Sequence, residues 1–163
     1  MSMTVKLLRV TQAEFEAYQK NSSLLGNRFY SDSETDSALI YLDKSWEGIL
    51  FLLTGQGLKK NRHPMLKVFF SEQNVDDNMD LGYGPAEYLT AEEVKQLYAE
   101  LSKITEEELT ARFDPARMTE LHIYPEIWDE EGILHYLLAF FNELLGFYRQ
   151  AAANDQIVIS GIL

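Results

Sequence analysis

Apolar positions along the chain change period several times, and each change marks an element. Val5, Leu7, Leu8 and Val10 form a short apolar block that predicts a first strand. Thr11 with Glu14 three residues later is the spacing of a capping box, in which each side chain satisfies an unpaired amide at a helix start. A helix is therefore expected over 12–19, burying Phe15 and Tyr18. The run Ser31-Asp-Ser-Glu-Thr-Asp-Ser37 is polar and turn-forming and reads as a loop. Trp46, Ile49, Leu50 and Leu53 recur at helical spacing, with Asp43 placed to cap the helix and Gly55 to end it.

Residues 65–70 fit a strand or a short helix, and residues 86–89 a short strand. Thr90 with Glu93 forms a second capping box ahead of Val94, Leu97 and Leu101, and Thr105 with Glu108 a third. Asp114-Pro115 puts a capping acid before a proline at the first helical position. The longest helix is predicted over 129–153, with the stripe Ile133, Leu134, Leu137, Leu138, Phe141, Leu144, Leu145 and Tyr148 facing the core. Ile157, Val158 and Ile159 return to strand character. The pattern predicts a helix-rich α+β fold, a single domain over 1–163, whose small sheet includes the N- and C-terminal strands.

Charge changes this picture more than composition does. The net charge is −12, and residues 72–108 hold eleven acidic side chains against Lys95 and Lys103, a local net of −9. Residues 59–67 instead carry Lys59, Lys60, Arg62 and Lys67 with no acid. Such a surface repels phosphate backbones, so no nucleic acid is expected as a partner. The acidic stretch reads either as solvated surface or as a face for a partner protein with a basic surface. There is no cysteine, which removes disulfides and thiolate chemistry. No apolar run approaches the length of a membrane span, and no signal peptide is evident, so a cytoplasmic location away from the membrane is expected.

Short motifs of catalysis are lacking. His63, His122 and His135 form no ligand pair, so structural or surface roles are expected and no metal. Asp76, Asn78, Asp80 and Glu87 have calcium-loop spacing, but Leu81 replaces the required glycine and Pro85 sits where the exit helix should begin. Gly55-Gln-Gly57 and Gly82-Tyr-Gly84 lack the spacing of phosphate loops and read as turns. The aromatics Trp46, Tyr83, Tyr88, Tyr124 and Trp128 gather beside turn signals, where they serve either as core edges or as pocket walls.

Four segments, taken in order, resemble a known family. Leu42-Asp-Lys-Ser-Trp-Glu-Gly-Ile-Leu-Phe-Leu-Leu-Thr-Gly55, Asp80-Leu-Gly-Tyr-Gly-Pro-Ala-Glu-Tyr-Leu-Thr90, Arg112-Phe-Asp-Pro115 and Ile123-Tyr-Pro-Glu-Ile-Trp-Asp129 are similar to the signatures of the YfbM-like family of bacterial proteins of unknown function. The resemblance runs from Leu42 to the end of the chain and implies a small α+β cytoplasmic protein. It implies no activity, cofactor or catalytic residue. Family members often carry histidine four residues after the tryptophan, where this chain has Leu50, so chemistry needing that imidazole is not implied here.

Two functional expectations follow. One is a non-enzymatic binding protein whose acidic surface meets a basic protein. The other is a small-molecule binder or enzyme whose aromatic pocket is built from Trp46, Tyr83, Tyr124 and Trp128; neither reading calls for a cofactor. A weaker third reading, mimicry of nucleic acid, requires the acids to form a regular array.

Overall fold

The computed structural model describes residues 2–163 and has an α+β architecture in which helix predominates. Strands β1 (Val5–Val10), β2 (Leu39–Tyr41), β3 (Glu87–Leu89) and β4 (Ile157–Ile162) form one antiparallel sheet in the order β2-β1-β4-β3. The end strands are therefore its two central members. They pair over their full lengths, from Val5 opposite Ile162 to Val10 opposite Ile157.

The helices are α1 (Gln12–Lys20), α2 (Ser22–Phe29), α3 (Trp46–Thr54), α4 (Ala91–Leu101), α5 (Glu106–Arg112), α6 (Pro115–Glu120) and α7 (Ile133–Ala153). Local chemistry starts most of them. Both halves of the capping box are present at Thr11/Glu14 and Thr90/Glu93. Thr105 caps α5 through the Glu108 amide at 3.1 Å. Asp114 caps α6 through the Arg117 amide, also at 3.1 Å, with Pro115 in the first turn. Gly55 ends α3 in the left-handed conformation, φ 77°, which glycine adopts without a Cβ clash. The segment compatible with strand or helix is a 3-10 helix, Pro64–Val68.

Several expectations are corrected. Asp43 does not cap α3: its backbone lies at φ 50°, and its carboxylate accepts hydrogen bonds from Tyr41 Oη (3.1 Å) and Tyr136 Oη (2.8 Å). It ties β2 to α7 instead. Helix α7 begins at Ile133, not at 129, because Gly132 at φ 78° turns the chain before it. Helix α2 and strand β2 carry too little pattern to be predicted: α2 buries only Leu25 and Phe29, and β2 is three residues long.

The sheet separates two cores. Alternation along β1 sends Val5 and Leu7 to one face and Leu8 and Val10 to the other. The larger core gathers α3, α4, α5, α7 and both tryptophans, whereas α1 and α2 cover the smaller one with Phe15, Leu25 and Phe29. The two central strands are thus buried on both faces.

Glycines in α3 and α7 make this packing testable. A Cβ at Gly48 would lie 2.6 Å from Trp128 Cη2 and 2.7 Å from Leu137 Cδ2, whereas one at Gly146 would meet nothing within 4 Å. Gly48→Ala is expected to lower stability by about 1–3 kcal/mol through overpacking. Gly146→Ala is expected to raise it by about 0.5–1 kcal/mol, the helix-propensity gain. Urea midpoints of the two variants should move in opposite directions; a shift of the same sign in both would refute the packing described.

Candidate functional site

The four aromatic candidates have different surroundings. Trp128 is 1% exposed, and its indole donates to the Ile123 carbonyl at 2.7 Å. Trp46 is 2% exposed, and its indole donates to the Met3 carbonyl at 3.1 Å. Tyr124 is half-buried beside Trp46, with ring centroids 6.0 Å apart, and its hydroxyl accepts from the Met3 amide at 2.9 Å. Tyr83 is 41% exposed, in the loop before β3. The structure brings Trp46 and Tyr124 together as anchors of the chain before β1, buries Trp128 under α3, and leaves Tyr83 at the surface. Leu50, four residues after Trp46, is fully buried.

Tyr83 borders a small cleft of about 100 Å³ on the large-core side of the sheet. Its walls are Phe69 and Phe70 after the 3-10 helix, Val5 at the start of β1, and the end of β4; Pro85 and Glu87 lie across from them. Phe70 packs edge-on against Trp46, 5.7 Å between centroids, so one aromatic layer runs from Tyr124 through Trp46 to the cleft.

Two buried hydroxyls hold the cleft floor. Tyr148 Oη donates to the Val68 carbonyl at 2.6 Å, and Ser160 Oγ to the Phe69 carbonyl at 2.7 Å. Each bond is desolvated, and an unpaired carbonyl there would be costly. Burial pushes the Tyr148 hydroxyl far above the ordinary tyrosine range, so it stays a proton donor. Gly161 lets the strand approach the opposite face: a Cβ there would meet Leu81 Cδ1 at 2.5 Å.

Glu87 is the carboxylate of the cleft. It stands opposite Ser160 in the β3–β4 register and on the same face as buried Leu89. Burial raises its carboxyl above the ordinary value; the Glu72 and Ser71 amides lower it in part, and the charge of Glu72 raises it further. Its Oε2 accepts from the Glu72 amide at 3.3 Å, and no cation among the described residues pairs with it.

The calcium-like spacing around it is occupied otherwise. Asp76 accepts from Ser22 Oγ (2.7 Å) and the Asn78 amide (2.9 Å), while Asp80 Oδ1 accepts the Gly82 and Gly84 amides at 2.8 and 3.0 Å. Those bonds hold both carboxyls below their ordinary value. Among the described residues no group of three or more His, Asp or Glu is placed to hold a metal ion. His63 Nδ1 accepts from the Met65 amide, and His122 Nδ1 lies 2.8 Å from Glu126 at the surface. No helix among the described residues is long and apolar enough to cross a membrane.

With this geometry in view, comparisons with known proteins give a family and a fold. A family model described as "Domain of unknown function (DUF1877)" matches residues 1–160. A crystal structure of YfbM from Escherichia coli, itself a protein of unknown function, is similar with a TM-score of 0.73 at 19% identity, covering 98% of this chain and 99% of that one. At that identity the likeness is one of fold. No curated protein matches the chain.

The raised Glu87 carboxyl has a thermodynamic signature. The folded state holds this proton more tightly than the unfolded state, so ionising Glu87 disfavours folding. That penalty is absent below the unfolded pKa of about 4.3 and complete once pH exceeds the folded value. Glu87→Gln is therefore expected to raise Tm at pH 7 and to converge on the wild type near pH 4. Equal Tm differences at both pH values would show that the carboxyl's charge is not the cause.

Proposed function

Because the chain belongs to the family of the domain of unknown function DUF1877, which supplies no activity to transfer, we propose from the site itself that it is a binding protein for a partner with a basic surface. In this reading the cleft at Glu87 receives one cationic side chain of that partner. The observation that carries it is a half-buried carboxylate that lines one cleft with Phe69, Phe70 and Tyr83 and pairs with no cation among the described residues. An arriving ammonium relieves the desolvated charge and gains cation–π attraction from the aromatic walls.

The surroundings support protein recognition. Residues 73–75 run alongside β3, through the Val75 amide to the Ala86 carbonyl and the Tyr88 amide to the Gln73 carbonyl. Exposed Glu72, Asp77 and Asp80 therefore belong to the segments that flank the cleft. With a net charge of −12 the chain as a whole attracts basic partners and speeds encounter. Catalysis is less supported, because the serine of the cleft is committed to the Phe69 carbonyl and faces no base. The size of the cleft favours one alternative, a free small organic amine as ligand, since about 100 Å³ admits little beyond a side-chain tip.

Amide chemical shifts followed during titration with a lysine-containing peptide, its Nε-acetylated form and butylammonium distinguish these readings. The peptide is expected to perturb residues around 69–70, 83–87 and 160–162. Acetylation should abolish the effect, and Glu87→Gln should weaken binding about tenfold or more, the worth of a charge-assisted hydrogen bond. Tighter binding of butylammonium than of the peptide would favour the small-molecule reading. No perturbation of these residues by either amine would overturn both.

A further inference from the structure

A second cleft, independent of Glu87, has the opposite charge. It lies between the loop that follows α3 and helix α6, encloses about 330 Å³, and is rimmed by Lys59, Lys60 and Arg117. That volume falls within the usual range of small-molecule sites. We propose that it binds a small phosphate-bearing anion.

Charge is the first argument. In a chain of net charge −12, three cations share one concavity. The carboxylate in its wall, Glu47, keeps its charge but turns both oxygens to the backbone: Oε1 accepts from the Leu58 amide and Oε2 from the Tyr124 amide, both at 3.0 Å, against three cations at the rim. Lys59 and Lys60 form no ion pair among the described residues, and Arg117 pairs only with exposed Glu120 at 3.0 Å. Lysines after a helix can instead serve to offset its negative C-terminal pole. Here that end is already served. Arg112 Nη1 donates to the Leu52 carbonyl at 3.0 Å, Thr54 Oγ1 to the Leu50 carbonyl at 2.8 Å, and the Gly55 amide to the Phe51 carbonyl at 2.7 Å.

Preorganisation is the second. Asn61, 7% exposed, donates to Thr54 Oγ1 (3.0 Å) and the Gly57 carbonyl (2.9 Å) and accepts from the His63 amide (2.9 Å). Gly57 is packed so closely that a Cβ would lie 2.6 Å from Glu47 Oε1. The loop is thus fixed from beneath while its lysines stay outside. Lys60 sits at φ 58°, where glycine would be the less strained residue.

A compact anion suits the cleft better than a nucleic-acid strand, whose long backbone would meet the acidic remainder of the surface. Arginine supplies paired donors in a plane and the lysines supply point charges, the usual mixture for phosphoryl oxygens.

Calorimetric titration of the full chain with inorganic pyrophosphate at low ionic strength tests the proposal. Saturable one-to-one binding is expected. Lys60→Gln and Arg117→Gln should each weaken it about tenfold or more, and Lys103→Gln, on the remote α4–α5 turn, should leave it unchanged. Glu120→Gln should tighten it by freeing Arg117. Lys60→Gly gives a readout that misfolding cannot imitate, because Tm should rise as the strain is relieved while affinity falls. Absence of saturable binding at millimolar pyrophosphate overturns the proposal. So does an equal loss in Lys103→Gln, which would show a response to net charge alone.

Discussion

The pairing of β1 with β4 is the constraint on which the other parts depend. It brings residues 5–10 against residues 157–162, and flanking bonds between the Thr4 and Leu163 backbones, at 3.0 and 2.8 Å, extend it. Everything between must leave the sheet and return to it. Helix α7 makes the return possible by crossing the large core along the stripe Ile133, Leu137, Phe141, Leu144 and Tyr148 before the turn that enters β4. The Glu87 cleft is assembled at this junction. One wall comes from the start of the chain, one from its end, and β3 adds the carboxylate to the free edge of β4.

Most of the fold was legible in the sequence wherever a side chain acts on its own neighbours. The capping boxes at Thr11 and Thr90, the Asp114-Pro115 start and the Gly55 stop are local devices, and each stands where the spacing places it. What was hidden depends on distant partners. Asp43 looks like a cap by position, but Tyr136, far along the chain, claims its carboxylate. The site was less legible than the fold. Trp46 and Trp128 stand beside turns because their indoles reach backbone carbonyls there, a structural need that sequence cannot separate from ligand binding. Glu87 was obscured by the many other acids. Its signal was present in the alternation: it shares a strand face with Leu89, so an acid points to the apolar side.

Net charge by itself locates nothing. Within the acidic stretch, Asp76 and Asp80 tie turns, Glu93 closes a capping box, and Glu106, Glu107 and Glu108 occupy the first turn of α5, where the helix dipole favours them. These groups have structural employment. Once they are set aside, one desolvated acid in an aromatic cleft and one basic cleft stand out as two places where charge lines a concavity.

The central strands also bear on how the chain finds a unique alignment. In a sheet with one wet face, a slip of one residue is punished because it sends apolar groups to water. Here β1 and β4 send apolar residues to both cores, so that penalty is reduced, and within β1 it rests on Lys6 and Arg9. On β4 two small residues add to the proofreading. Ser160 must meet the Phe69 carbonyl, and Gly161 passes beneath Leu81 where an added Cβ would crowd Leu81 Cδ1. Shifted by one, a hydroxyl would be pressed against Leu81 and the carbonyl left bare. The same two residues that shape the cleft thus act as the notch and key of the sheet, and the alignment of the chain's two ends is bound to the integrity of its candidate site.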